Sequence, residues 1–388
     1  MPRGYGFAEW LEEKGVASTS ACGPEKYFMW AVRQVAWCER GTVFFLEVVV
    51  TPTSFGDLWG RVISFENLFA AFVEARRGKR YVSEVLRYEA NLEERLIELQ
   101  NRLLWKEWRP GAWRCFEVYE PKKRIIHAPP FCDRVVHHAL VRVMEPLFER
   151  RFIADSFACR RGKGNHAAQE RVVEFLRRNP RPTHVLQTDI SSCFPSVNHE
   201  VLLDTIKRTI RDPDVLWLSR SIVTDGGFDG TGLPIGALTS QLFANVYLDL
   251  LDHFMKDALG VKRYVRYMDD TVSLSDDKRY LRDVYGEMDE FVRTRLLMRL
   301  NPKSGIYGVC QGVNFCGYRS WPTHVLPRKR NVRRARRALG GLSRLYRRGR
   351  VSLGKVRSVV ASFLGYMQRC RGYRSAENVL AVSFGKGE

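Results

Sequence analysis

Two adjacent aspartates, Asp269 and Asp270, lie in RYVRYMDDTVSL (263–274), between short runs that alternate apolar and polar residues. Alternation with a period of two on both flanks predicts two strands joined by a tight turn, with both carboxylates at its tip. Side by side the two charges repel, and neither has an obvious basic partner after it, so the pair calls for a cation. A second acid suited to the same cation stands upstream, where the apolar run Val185–Leu186 predicts a buried strand ending on Asp189. With strand end and hairpin tip on adjacent strands of one sheet, Asp189 and Asp269 would hold two Mg²⁺ ions. One would lower the pKa of an attacking 3′-hydroxyl, and the other would neutralise a triphosphate and its leaving group. Mg²⁺ is bound by one or two carboxylates together with substrate phosphates, not by an all-protein cage. That accounts for acids without basic partners. The bland alternative for a lone Asp-Asp, a solvated turn, leaves Asp189 and the Gly-rich loop between the two motifs unexplained.

The charge balance supports a polyanionic partner. The chain has 388 residues and a net charge of +20, which points to nucleic acid, with an anionic membrane surface as the alternative. Residues 325–388 hold 17 Lys and Arg against 2 acidic residues, a net of +15. Within them PRKRNVRRARRALGGLSRLYRRGR places Val332, Ala335, Leu339, Leu342 and Leu345 at helical spacing, with arginines on the other faces. The acidic residues that would pair with those arginines are missing, and a phosphate backbone would relieve the repulsion. No run approaches the roughly 18–20 apolar residues of a membrane span, and the first residues carry no apolar signal core. A cytoplasmic protein without membrane contact is expected. Nine scattered cysteines with no C-x-x-C pair predict reduced thiols, not a zinc site.

The elements that must position the acids follow from the pattern. Residues 63–80 and 89–108 read as amphipathic helices, 113–130 as a hairpin with Lys122, Lys123 and Arg124 near its turn, and 132–152 as a helix. ACRRGKGNHAA (158–168) is a basic Gly-rich loop entering a helix. Its spacing is not that of a phosphate-binding P-loop, so a contact to template or primer is expected. After Asp189 comes Phe194, with Pro195 opening a helix. DGTGLPIGALTSQLFANVYLDLLDHF (229–254) is a Gly/Pro loop entering an apolar helix, capped by Thr239 or Ser240. The aspartate hairpin, another helix, a segment with Lys303, a strand pair at 312–321 and the basic helices complete the order. Residues 1–60 carry no usable motif.

TDISSCF, YMDD, NPKSG and VNFCGY stand in the order of reverse transcriptase motifs, and the chain resembles that family from about residue 63 to 388. The resemblance implies an α+β right-hand polymerase. Its fingers would be 63–182 and 204–234, its palm, with an antiparallel sheet, 183–203 and 235–320, and its helical thumb 321–388. Residues 1–62 would be an extension of unknown role. It implies Asp189, Asp269 and the less directly coordinating Asp270 as catalytic metal ligands, joined by the Ile190 backbone, and Phe194 as the steric gate against a 2′-hydroxyl. Arg124, Ile235, Gln241 and Lys303 are implied at the incoming nucleotide, with Lys303 a candidate proton donor to pyrophosphate. Arg134, Arg160, Arg161, Lys163, Gly236, Tyr267, Gly317, Arg333 and Arg337 are implied at template and primer. His137, His138 and His166 are read as packing or surface groups.

LPIGALTSQ, with Ile235 before Gly236 and Gln241 after Ser240, is similar to the hallmark of diversity-generating retroelement reverse transcriptases, as are EPKKRIIHAPPFCDRVVHHAL and SFACRRGKGNHAA. That resemblance implies error-prone copying of a template-repeat RNA into cDNA, with errors opposite template adenines, and a pentameric basic accessory variability protein as partner. An apolar Ile235 in place of a hydrogen-bonding glutamine removes a contact worth about 1–1.5 kcal/mol, enough to relax selection roughly tenfold. Rival readings are a retron or phage-defence reverse transcriptase without targeted mutagenesis, an RNA-making polymerase on the same palm, which Phe194 opposes, and a non-catalytic RNA-binding scaffold, which the intact acids oppose.

Overall fold

The computed structural model describes residues 32–36, 44–48, 55–119, 123–224 and 230–384. The chain divides after Thr51 into two units. In the first, the described residues form one antiparallel hairpin, β1 (Val32–Ala36) against β2 (Phe44–Val48), with Val32 opposite Val48. The remainder of residues 1–54, and Lys122, lie outside the described residues.

The second unit begins at Pro52, ahead of the boundary expected at residue 62, and Leu58, Val62 and Ile63 already belong to its core. It opens with α1 (Trp59–Ile63), α2 (Phe65–Ala75), α3 (Ser83–Glu89) and α4 (Leu92–Leu104). Helix α4 forms where the leucine spacing predicts: Leu96, Leu99 and Leu103 are buried on one stripe, and Glu93 and Glu94 sit favourably in the first turn. Each buried leucine contributes roughly 1.5–3 kcal/mol. Strands β3 (Arg114–Val118) and β4 (Arg124–Ala128) make a separate two-stranded ribbon. The long helix α5 (Phe131–Glu149) then runs through the core, and α6 (Asn165–Arg177) follows the basic loop.

Next come β5 (His184–Asp189), the single turn α7 (Cys193–Ser196), α8 (His199–Lys207), α9 (Pro213–Thr224) and α10 (Leu238–His253). The predicted caps of α10 are not used as caps. The helix starts at Leu238 with Ala237 at its N-cap, two residues ahead of Thr239; Thr239 and Ser240 are buried instead, and the Thr239 hydroxyl bonds His137 Nδ1 at 3.0 Å. Strands β6 (Tyr264–Tyr267) and β7 (Asp270–Ser275), helix α11 (Lys278–Thr294) and β8 (Gly305–Gly308) complete a four-stranded antiparallel sheet in the order β6-β7-β5-β8. Strands β9 (Val313–Phe315), β10 (Tyr318–Ser320) and β11 (Val325–Pro327) form a small second sheet.

Both faces of the main sheet are covered. Val185, Val265, Val272 and Leu274 point into a cluster with Val172, Phe175 and Leu176 of α6. Leu186 and Tyr264 point the other way, into the large core shared with α10 and α11. Alternation ordinarily marks a sheet with one solvated face, yet here the polar half is buried too: Thr188, Arg266, Thr271 and Ser273 are all closed to solvent. Their hydrogen bonds are made internally, as Thr188 Oγ1 to Thr271 Oγ1 at 2.6 Å illustrates.

The C-terminal helices α12 (Lys329–Arg347), α13 (Leu353–Gln368) and α14 (Tyr373–Phe384) pack around Leu339, Phe363, Met367, Ala376 and Val379. Val332, Ala335 and Leu342 flank that core, Leu345 is exposed, and Arg333 and Arg337 stand on the solvent side. Among the described residues no helix is long and apolar enough to cross a membrane, and the seven described cysteines are free.

Candidate active site

The register of the sheet brings the acids together. Strand β5 pairs with β7 so that Asp189 lies directly opposite Asp270, and β7 pairs with β6 so that Tyr267 also faces Asp270. The connecting loop is two residues, Met268 and Asp269, which places Asp269 in the turn and Asp270 as the first residue of β7. The two acids thus differ in position; they do not share the tip. Met268 takes a φ of 54°, a positive value that is uncommon for a bulky side chain. Arg266 secures it from below. Its Nη1 donates to the Met268 carbonyl at 3.2 Å and to Asn245 Oδ1 at 3.2 Å, while Nε and Nη2 grip the two oxygens of Asp252 at 2.7 and 2.6 Å. The Tyr264 hydroxyl donates to the same carboxylate at 2.9 Å, and Arg266, Asn245, Asp252 and Tyr264 are all buried.

Asp189 is held from the other side. The Asn301 Nδ2 donates to Asp189 Oδ2 at 2.7 Å, Asn301 N to the Asp189 carbonyl at 2.7 Å, and Asp189 N to Ser304 Oγ at 3.2 Å. Ile190 N donates to the Asp269 carbonyl at 3.3 Å, tying the strand end to the turn. Burial pushes the Asp269 carboxyl above its ordinary pKa, and the Asp189 carboxylate beside it pushes the same way, against the pull of Arg124. Cys193, buried behind the acids, is pushed up to about 12 by burial first and then by Asp269. Two carboxylates forced together in a half-buried cleft are a donor set for a hard divalent cation. Among the described residues no three His, Cys, Asp or Glu side chains are placed to hold a metal ion alone. A pair of carboxylate donors fits Mg²⁺ bound jointly with substrate phosphates.

The surroundings sort the remaining candidates. Arg124 is exposed at the start of β4, near enough to act on Asp269. The loop before α10 is stitched between two elements: Leu233 N donates to the Phe194 carbonyl at 2.8 Å, and His127 N of β4 donates to the Ile235 carbonyl at 2.8 Å. Gly236 has a φ of 129°, and a Cβ there would stand 2.7 Å from the His127 carbonyl oxygen, so only glycine permits this approach. Phe194 and Ile235 are half-buried; Gln241 and Lys303 are exposed. The β9–β10 turn, Cys316-Gly317, has positive φ at both residues (46° and 89°), the I′ geometry of a two-residue hairpin. Burial raises the Cys316 thiol pKa, and Asp270 adds to the rise. Cys316 packs against the cluster that also takes Tyr267 and Val272 of the strands flanking the acid turn, while the Gly317 carbonyl accepts from the Tyr366 hydroxyl at 2.6 Å.

Two members of the basic loop depart from expectation. Arg160 is only 8% exposed. Its guanidinium grips Glu149 and donates to the carbonyls of Ile153 and Ser156 at 2.6 and 2.8 Å, so it builds the loop and is not presented to a nucleic acid. Lys163 Nζ is likewise turned onto the carbonyls of Ala154 and Ser156 at 2.7 and 3.2 Å. Arg161 stays exposed beside Glu145. Arg134 is half-buried and donates from Nε to the Pro129 carbonyl at 3.0 Å, and Tyr267 packs at the edge of the α6 cluster. Sequence reasoning missed Asn301, Ser304, Arg266 and Asp252. The one available signal was that Asn301 and Ser304 flank Lys303 in NPKSG.

Residues 119–319 match the family described as reverse transcriptase (RNA-dependent DNA polymerase). The chain belongs to that family. It is similar to Protein YkfC of Escherichia coli, 29% identical over 182 residues, which are 44% of this chain and 47% of that protein. It is also similar to the group II intron-encoded protein LtrA of Lactococcus lactis subsp. cremoris, 26% identical over 141 residues, 34% of this chain and 23% of that one. A third relative is nuclear intron maturase 1 of Arabidopsis thaliana, 32% identical over 102 residues, 26% and 14% of the two chains. The chain spans about half the length of YkfC and less of the other two.

Proposed function

We infer that this chain is an RNA-directed DNA polymerase, with the sheet β6-β7-β5-β8 as its palm, the β3–β4 ribbon and surrounding helices as fingers, and α12–α14 as thumb. The observation that carries the reading is the register that sets Asp189 opposite Asp270, with Asp269 in the β6–β7 turn. Asp189, Asp269, Asp270 and the Ile190 carbonyl would hold two Mg²⁺ ions, which when bound acidify a primer 3′-hydroxyl and neutralise the triphosphate. The rest is work for the chain itself. Arg124 stands where its guanidinium reaches a triphosphate bound at Asp269. Phe194, held by its backbone bond to Leu233, lies under the incoming sugar and excludes a 2′-hydroxyl. Ile235 and Gly236 line the nascent base pair, and Gln241 and Lys303 complete the nucleotide's surroundings. Arg134, Arg161, Tyr267, Gly317, Arg333 and Arg337 line the path of template and primer.

The finer reading is mutagenic copying of a template-repeat RNA in a diversity-generating retroelement, in a cytoplasmic setting and with a pentameric accessory variability protein. It is supported by LPIGALTSQ and by the apolar side chain at 235. The test is extension of a DNA primer on an RNA template with deoxynucleotides, and separately with ribonucleotides, followed by cDNA sequencing. Errors concentrated opposite adenine, and reduced in Ile235→Gln, support it. Accurate cDNA leaves the polymerase and moves the biology to a retron or phage-defence enzyme.

A further inference from the structure

We propose that Asn301 is a positioning residue for Asp189: it occupies one carboxylate oxygen and so reserves the other for the cation. The inference rests on the metal-dependent polymerase reading given above.

The geometry is a short strap, residues 301–304, closed on the end of β5. Asn301 N reaches the Asp189 carbonyl at 2.7 Å, Asn301 Nδ2 reaches Asp189 Oδ2 at 2.7 Å, and Ser304 Oγ accepts from Asp189 N at 3.2 Å. The strap is braced internally: Asn301 Oδ1 accepts from Lys303 N at 3.1 Å, and Ser304 N donates to the Asn301 carbonyl at 2.8 Å. These partners fix which way the amide faces. A backbone N–H on one side requires the oxygen, and a carboxylate on the other requires the NH₂. Pro302 stiffens the strap between the two contacts.

An amide suits this task for a chemical reason. An aspartate at a strand end would rotate about its side-chain torsions and present either oxygen. A lysine or arginine in the same place would fix it but would also supply the positive charge the acids otherwise draw from a cation. A neutral donor fixes the carboxylate plane and leaves its charge in place. Partners of metal ligands act in this way, and losing one typically costs 10- to 100-fold in metal affinity or activity. The same strap places Lys303, so the lysine-bearing motif has two separable jobs, one on the nucleotide side and one on Asp189.

The experiment uses the full chain with an RNA template, a DNA primer and a non-hydrolysable deoxynucleotide analogue. Mn²⁺ binding is read by electron paramagnetic resonance, beside the Mg²⁺ dependence of primer extension. Asn301→Ala is expected to weaken Mn²⁺ binding and raise the Mg²⁺ requirement by roughly tenfold or more, with a smaller change in the KM for deoxynucleotide. Ser304→Ala loosens the strap without freeing the carboxylate and is expected to bind Mn²⁺ within a fewfold of wild type. Asn301→Ser serves if the alanine variant does not fold. Unchanged Mn²⁺ binding in the Asn301 variants, or an equal loss in Ser304→Ala, overturns the proposal. Mn²⁺ binding that is unchanged from wild type in Asp189→Asn overturns instead the metal reading beneath it.

Discussion

Arg266 and Asp252 form a two-pronged ion pair wholly inside the protein, and the same guanidinium donates to the carbonyl of Met268 in the turn that carries Asp269. Removing one partner leaves the other charge buried and alone. Asp252→Ala is expected to cost about 3–5 kcal/mol, read by urea unfolding. The double replacement Asp252→Leu with Arg266→Met removes both charges and is expected to recover most of that stability while synthesis stays impaired, because nothing then holds the Met268 carbonyl. Full recovery of synthesis would show that the pair serves packing only.

Gly236 meets the fingers ribbon closely enough to forbid a side chain. Gly236→Ala places a Cβ 2.7 Å from the His127 carbonyl oxygen at a φ of 129°. The expected result is a loss of roughly 1–3 kcal/mol in stability and a raised KM for deoxynucleotide, because the Ile235 loop must leave β4. Steady-state extension with varied nucleotide separates this from a general loss of folding.

Asp269 carries a pH signature. Burial and Asp189 raise its folded pKa above the unfolded value, so the folded protein holds this proton more tightly. The resulting contribution to stability is present below the unfolded pKa and is lost as the pH rises through the folded one. Asp269→Asn does not titrate, so in chelator its thermal midpoint is expected to gain on wild type as the pH rises from about 3.5 toward neutrality. The same variant is expected to abolish synthesis. A constant gap across that range would contradict the assignment.

Arg333 and Arg337 lie one turn apart on the exposed face of α12. If both contact phosphates, Arg333→Ala with Arg337→Ala is expected to lower the slope of log K against log salt by roughly 0.7–0.9 per lost contact. Filter binding to RNA at several salt concentrations measures it, and an unchanged slope would place the nucleic acid elsewhere.

The sequence was legible where a pattern is local. Period-two alternation located β6 and β7, the apolar run Val185–Leu186 located β5, and amphipathic spacing located α4. The acids were found because two adjacent carboxylates at a predicted turn are visible within ten residues. What could not be read depends on partners far apart in the chain. Asn301 meets Asp189 across 112 residues, and Arg266 looked like the solvent half of an alternating strand until α10 brought Asp252 beneath it. Arg160 and Lys163 read as presented cations because a basic Gly-rich loop resembles a phosphate contact. Only the fold shows that Glu149 and three backbone carbonyls take up their donors. Thr239 read as a cap for the same reason: cap and core threonines differ by what lies opposite, here His137.

The central claim, that Asp189 and Asp269 together carry template-directed DNA synthesis, is tested most directly by primer extension on RNA with wild type, Asp189→Asn and Asp269→Asn, with RNA binding measured in parallel. The account expects Mg²⁺-dependent cDNA from wild type, none from either variant, and RNA binding retained in all three. Synthesis that survives either substitution, or RNA binding with no synthesis by wild type under any metal, would contradict it and leave an RNA-binding scaffold as the better description.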